Sequence, residues 1–165
     1  MRRAIAVATL AVAVTGCGAE REPGGSRTGD GRGTRAVVTR VVDGDTAEML
    51  FDGLEIDVRF IGVDAPESVA RDQPLECFGR RASAYTRSRL EGRTVRLEFD
   101  VERLDRFGRT LAYVWIGDEL FNGTLVAGGY AAVTTFPPNV RYVDRFVAAQ
   151  RSAREAGRGL WGACP

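Results

Sequence analysis

The chain contains no histidine and no lysine, although 23 of its 165 residues are basic. The absence of histidine excludes Ser–His and Cys–His catalytic pairs, histidine general bases and histidine metal sites. The absence of lysine makes every basic side chain an arginine, whose fork-shaped guanidinium suits bidentate contacts with phosphate. Genome composition is the simpler explanation for this bias. Because histidine and lysine are both absent, any catalytic chemistry must depend on carboxylates, arginines, tyrosines and cysteines.

The chain also lacks a large net charge and a long hydrophobic run. Its formal net charge is +1 at pH 7, which argues against a protein that coats nucleic acid by charge alone. Any phosphate chemistry must be local to one site. The apolar run at residues 4–14 is too short to span a membrane as a helix, and the total length fits one domain.

The N-terminus has the features of an export signal. Arg2 and Arg3 precede the apolar run, which ends in "VTGC" at residues 14–17, a pattern that resembles the bacterial lipobox. We expect residues 1–17 to be a signal peptide with Cys17 as the lipidated residue; a plain cleaved signal with an incidental cysteine is the alternative. Residues 18–34 lack aromatics and are rich in Gly and Arg, which favours a flexible tether. The protein is then expected on the outer face of the cytoplasmic membrane, held by the lipid anchor only, or secreted.

The cysteine count fits the same compartment. The chain has three cysteines, and without Cys17 an even number remains, as is typical of exported proteins. We predict a disulfide between Cys77 and Cys164. Closing such a long loop contributes about 3–5 kcal/mol in the chain-entropy description.

Residues 35–165 have the patterns of a single small domain. Alternating apolar residues and two Asp-Gly turn signals predict strands, and helical spacing closed by glycines predicts helices. Asp118 is predicted to cap the second helix. The predicted strands are 35–42, 46–51, 54–63, 94–101 and 110–116, and the predicted helices are 76–90, 119–127 and 142–156. Five strands with a helix after the third indicate a small α+β barrel.

Acidic and arginine side chains cluster at the ends of these strands. Taken singly, an aspartate at a turn is usually a turn former, and an arginine in a strand usually faces solvent. Taken together, carboxylates are ligands for a hard divalent cation and bases for water. Arginines can clamp a phosphate and stabilise its developing charge. The set, which predicts metal-assisted phosphodiester cleavage, is Asp45, Arg59, Asp64, Glu67 and Arg109.

Four spaced motifs resemble those of the staphylococcal-nuclease-like (thermonuclease) family. They are "VVDGDT" at 41–46, the arginine at 59, "VDAPE" at 63–67 and "DRFGR" at 105–109, with "GLW" at 159–161 fitting the terminal segment. The resemblance covers about residues 37–161. It implies an OB-fold β-barrel with three helices and Ca2+-dependent endonuclease activity on DNA and RNA.

The resemblance also implies a role for each matching residue. Asp45 and Asp64 would be calcium ligands, together with the backbone carbonyl of Ala65, where the family often has threonine. Glu67 would be the general base that activates water. The phosphate and its transition state would be stabilised by Arg59 and Arg109, and Thr46 would support the site by hydrogen bonding.

The chain departs from the family around the nucleotide. Arg106 and Phe107 stand where well-known members carry lysine and tyrosine, and Phe136 is the one aromatic in "TTFPPN". We expect these three residues to contact substrate, which would be single-stranded or locally unpaired DNA or RNA, because stacking on aromatics tolerates any base. A monomer is the default expectation.

Two other functions fit the same fold. A non-catalytic module would bind nucleic acid or calcium without cleaving, and such copies of the fold lack some of the acids or arginines. A structural calcium site in a surface lipoprotein needs more oxygen ligands and no arginines. The complete set of acids and arginines favours the enzyme.

Overall fold

The computed structural model describes residues 34–68 and 75–165, which form one β-barrel with helices packed around it. The barrel strands each contribute buried apolar side chains to one common core. They are β1 (Thr34–Val41), β2 (Thr46–Phe51), β3 (Leu54–Phe60), β5 (Thr94–Glu98) and β6 (Thr110–Ile116). Short strands β4 (Val63–Asp64), β7 (Glu119–Leu120) and β8 (Ala132–Val133) lie outside this ring.

The first three strands form an antiparallel meander. β2 pairs with β3 from Thr46 opposite Arg59 to Phe51 opposite Leu54. Between them Asp52 and Gly53 both adopt positive φ, 48° and 82°, which is the conformation of a tight hairpin turn. The Asp-Gly pair therefore forms the predicted turn.

A parallel pairing closes the barrel. β1 and β6 both pair antiparallel with β5, and β3 then pairs parallel with β6, with Val58 opposite Thr110 and Phe60 opposite Ala112. The ring order is β3-β2-β1-β5-β6. This confirms the predicted α+β class and the five-stranded OB-fold barrel.

The predicted strand 54–63 was too long, because the chain turns after Phe60. Gly62 has a φ of 81°, and a Cβ placed there would lie 2.7 Å from the ring of Phe146. A side chain from a distant helix thus occupies the space and fixes a glycine turn. The chain continues as β4, which pairs with β8 rather than with the barrel.

Three helices and one short terminal helix surround the barrel: α1 (Gly79–Leu90), α2 (Phe121–Ala127), α3 (Val143–Glu155) and α4 (Leu160–Ala163). The prediction that α1 begins at residue 76 was wrong by three residues, because the chain adopts a turn at Cys77 and Phe78. The prediction that Asp118 caps α2 was also wrong. Glu119 and Leu120 pair with β6 as β7, so α2 begins only at Phe121. Similarly, β5 ends at Glu98, before the predicted limit of 101.

The core fills the barrel and continues under the helices. Side chains that are fully buried within the barrel include Val38, Met49, Val58, Leu97 and Val114. Phe121 and Phe146 cover the barrel from α2 and α3. Tyr113 is 1% exposed and is a core residue, as expected.

A disulfide joins Cys77 to Cys164, with the two Cα atoms 5.9 Å apart. This confirms the predicted pairing and ties the C-terminus to the segment just before α1. The predicted signal peptide at residues 1–17, with Cys17, and the tether as far as residue 33 lie outside the described residues. No helix in the described part of the chain is long and apolar enough to cross a membrane.

Candidate active site

The turn that leads into β2 orients Asp45. The N–H of Asp45 donates to Oδ1 of Asp43 over 3.0 Å, so Asp43 is the turn former. The hydroxyl of Thr86 on α1 donates to the carbonyl of Gly44 over 2.7 Å. Only glycine fits there, because a Cβ would lie 2.4 Å from the Cβ of Ala65. The turn is thus locked against α1 and against the segment after β4.

Asp45 is a buried carboxylate, with only 4% of the residue exposed. The Thr46 hydroxyl donates to its Oδ1 over 3.1 Å, and the Ala65 N–H donates to its Oδ2 over 2.6 Å. Burial raises the pKa of Asp45 to about 7, although the nearby Arg59 guanidinium favours the charged form. The charge of neighbouring Asp43 contributes to this rise in pKa. A positive partner is therefore needed to keep Asp45 ionised at neutral pH.

Arg59 is the cation that joins the two aspartates predicted to bind metal. Its two terminal nitrogens lie 2.8 Å from Oδ2 of Asp45 and 2.8 Å from Oδ1 of Asp64. It also donates to the carbonyl of Val63 over 2.8 Å. The Asp64 side chain is 63% exposed, whereas that of Asp45 is 6% exposed. One carboxylate is fixed in the barrel and the other faces solvent, and both converge on a single positive charge.

Glu67 is exposed and lies just beyond β4. Its N–H donates to the Glu76 carboxylate over 2.9 Å, and its carbonyl accepts from the Glu76 N–H over 3.1 Å. Partial burial and the charges of Asp43 and Glu76 raise the pKa of Glu67, while Arg59 acts in the opposite direction. The Glu67 carboxylate is therefore a stronger base than an ordinary glutamate.

The loop at residues 105–109 orients Arg109. The N–H groups of Phe107 and Arg109 each donate to Oδ1 of Asp105 over 2.9 Å, and Nε of Arg109 donates to Oδ2 over 2.7 Å. Burial disfavours the charged form of Asp105, but these hydrogen bonds outweigh burial and lower its pKa. Sequence reasoning did not assign Asp105, although an aspartate two and four residues before the bonded N–H groups is a recognisable turn signal.

A cavity of about 580 Å³ brings most of the predicted residues together. Its lining includes the guanidinium-bearing Arg59, Arg106 and Arg109, the acid Asp64 and the aromatics Phe107 and Phe136. Phe107 and Phe136 are 69% and 73% exposed. The Phe107 ring centroid lies 4.6 Å from the guanidinium carbon of Arg106 and 5.5 Å from that of Arg109. Asp45, Ala65 and Glu67 are not in the lining; Asp45 is connected to the cavity through Arg59.

The donor set fits a hard divalent cation. Within residues 34–68 and 75–165, no three acidic or cysteine side chains come together as a closed metal cluster. Asp45 and Asp64 instead offer carboxylate oxygens that already share one positive charge. The Ala65 carbonyl accepts no hydrogen bond from any described residue. Two carboxylates, a carbonyl and water are ligands that calcium uses.

Comparisons with known proteins identify relatives of this chain. A family model described as "Staphylococcal nuclease homologue" matches residues 57–163. The thermonuclease of Staphylococcus intermedius is 44% identical over 132 residues, covering 80% of this chain and 79% of that protein. The thermonuclease of Staphylococcus hyicus is 43% identical over 124 residues, covering 75% of this chain and 73% of that protein. Endonuclease YncB of Bacillus subtilis (strain 168) is 32% identical over 124 residues, covering 74% of this chain and 59% of that protein.

Proposed function

The chain belongs to the staphylococcal nuclease family, and on that premise we propose that it is an exported, calcium-dependent nuclease that hydrolyses phosphodiester bonds of DNA and RNA. Its similarity to two thermonucleases over most of its length shows that it is a nuclease. The observation that supports the detailed assignment is the shared cavity, in which Arg59, Asp64 and Arg109 face the same space. Acids and arginines around one opening suit phosphate chemistry.

Asp45, Asp64 and the carbonyl of Ala65 would hold the calcium ion. When bound, the ion would polarise a phosphate oxygen and neutralise part of its charge. Asp45 is suited to this duty because Thr46 and the Ala65 N–H fix both of its oxygens. A carboxylate held in one orientation loses little freedom on binding a ligand.

Glu67 would be the general base. It would remove a proton from the attacking water as the new phosphorus–oxygen bond forms, while the bond from phosphorus to the leaving sugar oxygen breaks and that oxygen takes up a proton from solvent water. Its raised pKa suits this role, because a base works best when its pKa approaches the working pH. Arg59 and Arg109 would donate hydrogen bonds to phosphate oxygens as negative charge develops there.

The exposed rim of the cavity would bind the nucleotides. Phe107 and Phe136 offer flat faces without hydroxyl groups, so bases would stack on them at about 1–3 kcal/mol each, with little sequence preference. Stacking requires an unpaired base, which favours single-stranded or locally unpaired DNA and RNA. Arg106 would contact the backbone phosphate beside the stacked base.

Export agrees with the disulfide, because disulfides persist in oxidising compartments. We further propose that residues 1–17 are removed as a signal, that Cys17 carries a lipid, and that a tether to residue 34 precedes a monomeric nuclease domain at 35–165. Mass spectrometry of the membrane fraction tests the anchor. A mature chain that begins elsewhere, without a lipid, contradicts it.

Digestion of single-stranded DNA tests the proposal directly. Wild-type protein should cleave with calcium and fail with chelator, and Glu67→Gln should lose roughly 10²- to 10⁴-fold in turnover, the usual contribution of a general base. Glu55→Gln is a matched control, since Glu55 lies at the far end of β3 from Arg59. Activity that is unchanged by both the chelator and the Glu67 substitution refutes the mechanism. If the wild type binds DNA without cleaving it, the non-catalytic alternative is favoured.

Arg109→Lys tests the transition-state role. Lysine keeps the charge but loses the fork and the Nε bond to Asp105, so turnover should fall about 10²-fold. Arg35→Lys on β1, an exposed position, is the control. Unchanged turnover in Arg109→Lys shows that Arg109 takes no part in the transition state.

A further inference from the structure

The backbone of Glu67 is fixed by the residues that precede α1. Two hydrogen bonds join Glu67 to Glu76, one through the Glu76 carboxylate and one through its N–H. At the first residue of α1, a Cβ on Gly79 would lie 2.3 Å from the carbonyl oxygen of Glu67. The two backbones are therefore in direct contact, and Glu67 moves if residues 76–79 move.

Residues 76–79 contain Cys77 and an unfavourable backbone conformation. Phe78 has a φ of 71°, a left-handed conformation that bulky side chains rarely adopt and that persists only where the surroundings impose it. Its ring packs on Tyr130, with centroids 5.8 Å apart. The Cys77–Cys164 disulfide immediately before it is the covalent restraint on this turn.

The other end of the disulfide is attached to a well-packed part of the fold. Cys164 follows α4, whose first residue, Leu160, donates its N–H to the carbonyl of Gly129 over 2.9 Å. The guanidinium carbon of Arg154 lies 4.1 Å from the Trp161 ring centroid. The disulfide thus connects the turn at Phe78 to a segment that is itself held. Cys77 is exposed, so a reductant in solution can reach the bond.

We propose that the Cys77–Cys164 disulfide and Glu76 are positioning elements for Glu67, so that the enzyme turns over at its full rate only while the disulfide is intact. This inference rests on the proposed role of Glu67 as general base. Reduction by a dithiol breaks the sulfur–sulfur bond: the dithiol gives up two electrons and two protons, becomes a disulfide, and leaves two thiols on the protein. The turn at Phe78 then relaxes, and Glu67 shifts relative to the phosphate.

The consequence is a nuclease whose rate follows the redox state of its compartment. In a reducing cytosol the dithiol form would turn over slowly, and outside the cell the oxidised form would work at full rate. Substrate binding should change little, because the described cavity lining contains neither cysteine nor Glu76.

Kinetics of oxidised and reduced protein provide the first test. Protein reduced with dithiothreitol and alkylated, and the double variant Cys77→Ser/Cys164→Ser, should lose about tenfold to hundredfold in kcat, the usual effect of a small displacement of a catalytic group. KM should stay within about twofold of the wild-type value, since the residues that bind the substrate are unchanged. Val95→Ala, a truncation in the buried part of β5, is the control for lost stability, because it keeps the disulfide. All proteins are compared at a temperature at which circular dichroism reports a folded chain.

Glu76 provides a second test that keeps the disulfide. Glu76→Ala should lower kcat, whereas Glu76→Gln should restore most of it, because the amide oxygen can still accept from the Glu67 N–H. Amide hydrogen exchange of Glu67 in calcium-free protein gives a readout that is independent of activity. Exchange should accelerate on reduction and in Glu76→Ala, and not in Val95→Ala.

The outcomes separate this inference from the proposed function. Suppose that Glu67→Gln is inactive, and that the reduced protein and Glu76→Ala are folded and keep the wild-type kcat and the wild-type hydrogen exchange at Glu67. The positioning role is then overturned, and the nuclease mechanism stands. If Glu67→Gln retains activity, both fail. Should the double cysteine variant not fold, Glu76→Ala still decides the question.

Discussion

Two buried carboxylates in this barrel, Asp45 and Glu98, differ in what surrounds them. They are 4% and 6% exposed, and each is paired with an arginine. Asp45 pairs with Arg59, which lines the candidate active-site cavity, whereas the partners of Glu98 (Arg141, Trp115 and Tyr142) do not line it. The comparison separates what holds a fold together from what equips it for chemistry.

Glu98 faces hydrogen-bond donors. It accepts from Arg141 over 2.5 Å, from the Trp115 indole over 2.8 Å and from the Tyr142 hydroxyl over 3.0 Å. These donors come from β6 and from the residues that lead into α3. Arg141 also lies 3.6 Å from Asp100, but a second arginine, Arg96, lies 3.9 Å from Glu98, so two carboxylates here face two positive charges. The Glu98 carboxylate therefore joins β5, β6 and α3 to one another.

Asp45 faces donors and other acids together. Asp43 lies beside it, and its counter-ion Arg59 is shared with Asp64. Two carboxylates therefore divide one positive charge between them. A buried acid with enough donors and positive charge around it stabilises the fold, whereas two acids that have only one arginine between them can bind a further cation.

Asp45→Asn should produce the largest effect and give opposite results for activity and stability. Loss of the carboxylate should lower kcat/KM by about 10²- to 10³-fold, as for other electrostatic groups in active sites. In chelator at pH 8 the free energy of unfolding should rise. The folded pKa of Asp45 is about 7, above that of an ordinary aspartate at about 4. Its ionisation therefore destabilises the fold progressively between about pH 4 and pH 7, the full cost is present at pH 8, and asparagine avoids it. Urea unfolding and a cleavage assay measure the two quantities, and a large loss of stability would contradict the prediction.

Glu98→Gln should lower stability and leave activity nearly unchanged. It removes charge-assisted hydrogen bonds at a buried position, and urea unfolding should show a loss of about 2 kcal/mol, less than for a fully buried pair because the Arg141 side chain is 45% exposed. Activity under folding conditions should stay within about threefold of wild type, since the change lies away from the cavity. A collapse of kcat in folded protein would show that the two clusters are coupled.

Asp105 is an intermediate case, because it lies in the site but faces donors. Its pKa is lowered by hydrogen bonds that outweigh burial. A lowered folded pKa means that Asp105 contributes stability above its unfolded pKa of about 3.9, and that this contribution is lost as the pH falls through the folded value. The difference in unfolding free energy between pH 6 and pH 3 should therefore be smaller in Asp105→Asn than in wild type. Asp57→Asn on β3 is the control, and equal pH dependence of the wild type and Asp105→Asn would contradict the assignment.

Local sequence signals predicted the parts of the fold that local physics decides. Strands 46–51 and 110–116 have the predicted bounds, and the Asp52-Gly53 turn follows from the φ values that glycine and aspartate tolerate. The pairing of Cys77 with Cys164 followed from an even count in an exported chain. The spaced motifs indicated the family, and the family implied the five-stranded barrel.

Long-range contacts decided the parts that were missed. The end of β3 depends on Phe146, which belongs to α3 and occupies the space beside Gly62. Asp118 has the residue type of a helix cap, but pairing of Glu119 with β6 offers the backbone a better partner. In the site, the motifs grouped Arg59, Asp64 and Arg109, which the structure places around one cavity. The bridging position of Arg59 and the hydrogen bonds between Glu76 and Glu67 depend on side-chain geometry that motif spacing does not encode.

The parallel pairing of β3 with β6 has a consequence for when the enzyme becomes active. It sets Arg59 opposite Leu111, two residues beyond Arg109, so the two arginines become neighbours only when the ring of strands closes. Such closure joins distant parts of the chain and is a slow class of folding event. A nascent chain that has emerged only as far as Glu67 already carries Asp45, Arg59 and Asp64 but lacks Arg109. Under the proposed mechanism, that chain is harmless to the messenger that encodes it until β6 has been synthesised and docked.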